Sequence, residues 1–101
     1  AHLYNPLHPA VLQLLWLTIS TGAKAGIPVA VCGELAGDTR LTRLLLGFGL
    51  REFSMHPAQL LSVKQEVLNS DLTRLEPAAK KVLKAWEPVA IAEAVERLNL
   101  L

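Results

Sequence analysis

A single cysteine, Cys32, stands among 101 residues. One thiol cannot build an internal disulfide framework or a cysteine-based zinc site, and it is compatible with a reducing compartment. Excess charge of either sign is also missing. Lysine and arginine number 10 against 9 for aspartate and glutamate, a net charge of +1. Nucleic-acid binding and the trapping of acidic substrates both need a basic excess, so neither class gains support. Long apolar runs are lacking too. The most apolar stretch, residues 10–19, includes Gln13, and it falls well short of the roughly 20 residues that span a membrane. No basic segment followed by an apolar one opens the chain, so no targeting signal is expected. Internal repeats and low-complexity segments are absent. These absences point to a soluble chain, or part of a soluble protein, in the cytoplasm. Its first residue, Ala1, suits a processed, trimmed or partial chain.

What is present is apolar side chain. The hydrophobic fraction is 51% and the charged fraction 19%, too greasy for a disordered segment. A chain of 11.0 kDa exposes roughly 5,600 Å² as a compact globule against about 16,000 Å² when extended. That leaves room for one modest core, in one domain or a piece of one.

Along residues 2–25, the Asn5-Pro6 and His8-Pro9 pairs read as a turn feeding a helix with Pro9 in its first turn. Val11, Leu12, Leu14, Leu15, Leu17 and Ile19 are apolar on nearly all sides, which predicts a broadly buried helix. Gly22 or Gly26 can end it. Residues 27–32 carry a short apolar run to Cys32 that suits a strand covered on both faces. The glycines of residues 33–38 predict a loop, with Asp38 capping a helix through Leu41, Leu44 and Leu45. That helix stops near Gly47 or Gly49. Residues 50–55 read as a second strand. His56-Pro57 then restarts helix, with Leu60, Leu61, Val63, Val67 and Leu68 near one face. Strands separated by helices imply parallel pairing. Residues 69–101 change character. Leu72, Leu75, Ala79, Val82, Leu83 and Trp86 keep a helical period, Glu87-Pro88 breaks it, and a last helix carries Ile91, Val95 and Leu98. A helical hairpin packed on the α/β part is expected. Two parallel strands leave two open edges, so other chain segments are expected to complete the sheet.

Three strings then stand out: residues 3–9 (Leu-Tyr-Asn-Pro-Leu-His-Pro), 32–38 (Cys-Gly-Glu-Leu-Ala-Gly-Asp) and 47–55 (Gly-Phe-Gly-Leu-Arg-Glu-Phe-Ser-Met). Together they closely resemble the C-terminal end of the Enzyme I family of the bacterial phosphoenolpyruvate-dependent sugar phosphotransferase system. The resemblance covers residues 1–68 strongly and the tail by length and type. It implies an α/β fold, the last portion of a (βα)8 TIM barrel. Residues 28–32 would be strand seven and residues 50–55 strand eight. Residues 1–68 would end the PEP-binding barrel domain, and residues 69–101 would form its C-terminal helical tail. The family binds phosphoenolpyruvate and Mg²⁺, dimerises, and passes a phosphoryl group through a histidine to the phosphocarrier protein HPr, releasing pyruvate. It serves sugar transport and requires no membrane or nucleic-acid partner.

The same resemblance makes Cys32 the proton donor to enolpyruvate. Active sites of such barrels lie at the C-terminal ends of strands, where Cys32 falls. A thiol suits the task, because an ordinary cysteine, with a pKa of about 8.5, is mostly protonated at neutral pH yet gives the proton up readily. A helix N-terminus after Gly37 would lower that value and a bound anionic substrate would raise it. Without the surrounding motif, a lone cysteine at a strand end reads as a small buried hydrophobe.

The family's Mg²⁺ carboxylates, substrate arginines and phosphorylated histidine lie upstream of the matched region. Glu34 and Asp38 are therefore read as structural, and Arg40, Arg43 and Arg51 as a solvated face. His2, His8 and His56 lack the phosphohistidine context; His8 and His56 precede proline at helix starts and read as caps or surface residues. Gly33 and Gly37 are expected to take positive φ or to admit close neighbours. Tyr4 and Asn5 are candidates for supporting the site from behind. Two competing readings remain. One is a free-standing interaction module using the first helix and Trp16. The other is the related pyruvate phosphate dikinase and phosphoenolpyruvate synthase branch, which shares the Cys-Gly pair but not the Leu-Ala-Gly-Asp and Glu-Phe-Ser-Met continuations.

Overall fold

Two helices begin in the same way. In α1 (Pro9–Ala25) and α4 (Pro57–Leu68), a histidine precedes proline in extended geometry and its Nδ1 accepts a backbone N–H two residues on. His8 Nδ1 accepts from Ala10 at 3.1 Å and His56 Nδ1 from Ala58 at 3.2 Å. Proline forces the preceding residue out of helical geometry and fixes its own φ, so each His-Pro pair pre-forms a helix start. The capping role read for His8 and His56 is what the geometry shows. The computed structural model describes residues 4–101, and His2 lies outside the described residues.

The remaining elements are β1 (Ala30–Cys32), α2 (Gly33–Gly37), α3 (Thr42–Phe48), β2 (Glu52–Ser54), α5 (Leu72–Lys84) and α6 (Pro88–Leu98). The two strands pair in parallel, with Ala30 opposite Glu52, Val31 opposite Phe53 and Cys32 opposite Ser54. Both are shorter than the sequence suggests, and the cause is local. The Ile27 N–H closes α1 onto the Gly22 carbonyl at 2.9 Å, and the Leu50 N–H closes α3 onto the Leu45 carbonyl at 3.0 Å. Gly26 and Gly49 take φ of 70° and 108° to permit these helix ends. The residues expected to start each strand are thus spent on finishing a helix, and Pro28 has no N–H to offer a ladder.

Residues 33–38 are not the expected loop. Gly33 at φ 72° turns the chain straight from the strand into α2. Asp38 follows this turn as its C-cap and does not start the next helix; α3 begins at Thr42 behind Leu41.

The core is built on α3. Thr42, Arg43, Leu44, Leu45, Leu46 and Phe48 are all buried. Leu12 and Ile19 of α1, Leu75, Ala79 and Val82 of α5, and Ile91, Val95 and Leu98 of α6 join its leucines in one cluster. Each large aliphatic side chain removed from water contributes about 1.5–3 kcal/mol. Gly47 lets α5 approach; a Cβ there would lie 2.7 Å from Ala79 Cβ and 2.8 Å from the Leu75 carbonyl oxygen. The tail is the expected helical hairpin, docked on α3. Trp86 falls in the link between α5 and α6, exposed rather than on the helix.

Three other expectations are corrected. Helix α1 is not broadly buried: Leu14 and Leu17 are 64% and 55% exposed. Separately from these, the apolar face of α4 is covered only at Val63, with Leu61 and Leu68 each 73% exposed. Trp16 does not project as an interface residue but packs against the core. The sheet is likewise covered on one face. Val31 and Phe53 pack inward, while Ala30, Cys32, Glu52 and Ser54 face outward and are exposed.

Candidate active-site edge

Cys32 is the last residue of β1 and the residue from which α2 starts. Its thiol is free and exposed. Alternation along the strand puts it on the open face of the sheet. The register sets it beside Ser54, the last residue of β2. The C-terminal ends of both strands therefore present a thiol and a hydroxyl side by side. A groove of about 410 Å³ runs between α1 and β1 up to Cys32, walled by Leu14, Leu15, Thr18 and Val31 among others. A second of about 310 Å³ lies between β2 and α4, against Phe53, Met55, Leu60 and Val67. Each outer strand thus has an apolar trough between it and its flanking helix.

The two glycines of the Cys32 turn divide the expected tasks. Gly33 supplies the positive φ, and Gly37 supplies the close approach, since a Cβ there would lie 2.1 Å from Gln59 Oε1. Beyond Gly37, the Asp38 carboxylate accepts from the Tyr4 hydroxyl at 2.9 Å, the Arg40 N–H at 3.0 Å and the Arg40 guanidinium at 3.0 and 2.6 Å. These contacts hold Asp38 below the usual carboxylate range, the Arg40 hydrogen bond foremost. The Tyr4 phenol is pushed up to about 12, by partial burial and by its bond to the Asp38 carboxylate. Asp38 thus anchors the loop that follows α2. Glu34 is exposed.

The three arginines separate. Arg40 is solvated and paired with Asp38. Arg51 is exposed and donates to the Leu46 and Leu50 carbonyls at 3.1 and 2.8 Å. Arg43 departs from the solvated-face reading. It is buried, pairs with Glu66 at 3.3 Å and donates to the Leu101 carbonyl oxygen. Its neighbours lie 23 and 58 positions away, so no local spacing announces them.

Among the described residues, no three histidine, cysteine or acidic side chains assemble a metal site. With Asp38 committed to Arg40 and Tyr4, these residues do not fit a Mg²⁺ centre. No helix among them is long and apolar enough to cross a membrane. Two contributors escaped the sequence reading: Ser54, which a parallel register would have placed beside Cys32, and Gln59, whose contact with Gly37 carries no sequence signal.

A short parallel βαβ pair with an exposed thiol at its C-terminal edge makes this an α/β segment. Residues 1–72 match the family described as PEP-utilising enzyme, PEP-binding domain, and the chain belongs to that family. It is 62% identical over 98 residues to a phosphoenolpyruvate-protein phosphotransferase of Cupriavidus necator, covering 97% of this chain and 17% of that protein. Proteins of the same name from Haemophilus influenzae and Mycoplasma pneumoniae are each 38% identical, over 99% and 97% of the chain and 17% and 16% of their own lengths. The chain thus spans about a sixth of the curated relatives it matches.

Proposed function

We propose that this chain is the closing portion of a phosphoenolpyruvate-binding (βα)8 barrel, in an enzyme that moves the phosphoryl group of phosphoenolpyruvate to a histidine and on to HPr. Cys32 is the acid that completes pyruvate formation. Once phosphorus has left, enolpyruvate needs a proton on its methylene carbon. The Cys32 S–H bond breaks as the new C–H bond forms, and the enolate oxygen becomes the carbonyl of pyruvate. The thiolate left behind regains its proton from solvent. In the reverse direction the thiolate removes a methyl proton.

The carrying observation is the exposed Cys32 thiol at the C-terminal strand end, on the open face of the sheet. In a closed barrel that face lines the interior mouth, where barrel active sites lie. The troughs beside β1 and β2 support the same reading, since each is the place a neighbouring strand would enter. The histidine, the phosphate-binding groups and the Mg²⁺ ligands belong to segments outside this chain in this reading. Bound Mg²⁺ would neutralise phosphate and enolate charge. The enzyme works in the cytoplasm as a homodimer, upstream of sugar uptake.

The test is Cys32→Ala in the whole enzyme. Pyruvate formation should fall at least about 100-fold, the usual worth of a general acid, with the KM for phosphoenolpyruvate little changed. Deuterium uptake from solvent into the pyruvate methyl should fall in step. Turnover near the parent rate would remove Cys32 from the chemistry.

A further inference from the structure

The turn that begins at Cys32 is held from its far end. α2 has five residues, too few to persist without outside support. Gln59 of α4 sits directly over Gly37. The Asn99 amide donates to the Arg40 carbonyl at 3.0 Å, bracing the following loop from the end of α6. At Asp38, where α2 stops, the Arg40 bonds are local to the loop. The Tyr4 bond is not: it comes from 34 positions upstream, from the segment leading into α1. Tyr4 therefore ties the end of α2 to a distant part of the chain.

We infer that Tyr4 is a positioning residue for the proton transfer: by donating to Asp38 it fixes the orientation of α2, and through α2 the direction of the Cys32 thiol. This rests on the proposed role of Cys32 and identifies the side chain that aims it. The Asp38–Arg40 pair and the Gln59 contact keep the loop folded without the hydroxyl. Loss of that hydroxyl therefore changes aim rather than folding, and small misplacements of a reacting group are costly.

The test uses the whole enzyme with Tyr4→Phe, which keeps the ring and removes the hydroxyl. Histidine phosphorylation and enolpyruvate protonation are followed separately in single turnover. Protonation should slow about tenfold, while phosphorylation and the KM for phosphoenolpyruvate stay within about twofold. Asp38→Asn, which keeps an acceptor oxygen, should retain more protonation rate than Asp38→Ala. Unchanged protonation in Tyr4→Phe, or an equal fall in both rates, overturns the inference. Alkylation of Cys32 by iodoacetamide distinguishes this from failure of the underlying reading. If Cys32→Ala protonates normally, the acid assignment falls, yet a changed alkylation rate in Tyr4→Phe still shows that Tyr4 sets the thiol. An unchanged rate shows that it does not.

Discussion

Tyr4 is the only tyrosine in the chain, so its titration reads one hydrogen bond. The folded phenol is pushed from 10.0 up to about 12. The folded state therefore holds this proton more tightly than the unfolded state does. The contribution is complete below about pH 10 and is lost as pH rises through about 12. Phenolate absorbance of the folded chain should rise near 12, and a midpoint at the ordinary value would mean the bond to Asp38 is absent. Asp38 works in the opposite sense. Its folded value lies below 3.8, so its stabilisation is present above the unfolded value and disappears as acid protonates the folded carboxylate. At this scale the sequence is unevenly legible. The strand end at Cys32 was legible because the apolar run of residues 29–31 stops there. Arg43 was missed because both of its neighbours are brought to it by folding, and a charge amid leucines resembles a charge on a surface face. Arg43→Met should keep the packing of α3 but release Glu66. Arg43→Ala should also open space and destabilise more, by about 2–3 kcal/mol, as denaturant midpoints will show.

The helix starts were the most legible elements, because His-Pro acts on its immediate neighbours. His8→Ala should cost about 1 kcal/mol, with His8→Asn restoring much of it, measured by urea denaturation. Strand ends were less legible, because whether the Leu50 N–H serves a helix end or a ladder depends on the conformation of Gly49. The α2 turn was misread as loop for a related reason: Gly33 permits either, and the contact with Gln59 decides it. Close packing of α3 on α5 gives a further expectation. Gly47→Ala would press a methyl against backbone on α5 and should destabilise by about 1–3 kcal/mol, again seen in denaturant midpoints. Gly22→Ala meets Val29 Cγ2 at 2.3 Å, close to the Ile27 carbonyl at 3.1 Å, and should strain the approach to β1.

At the scale of the whole chain, size and surface disagree. The radius of gyration is 12.8 Å, as expected of a compact chain of this length. The accessible surface, however, is 6533 Å², about 900 Å² above that of a finished globule of this mass. The excess is consistent with Leu14, Leu17, Leu61 and Leu68 lying bare beside the strands. The isolated chain should therefore self-associate with rising concentration, and replacing Leu61 and Leu68 with lysine should reduce this in sedimentation. The apolar fraction was legible as too high for so short a sheet, but which faces stay bare depends on where α5 and α6 dock. The two troughs also have a topological consequence. A ring of strands has no privileged first member, and a seam between neighbours is closed by backbone pairing and apolar contact rather than by the covalent link. In the proposed barrel, this segment should then join the remaining strands without a peptide bond. Co-expressed with the part of a relative that lies outside the matched region, this chain should bind it through those seams, and on the proposed role of Cys32 the pair should recover pyruvate release.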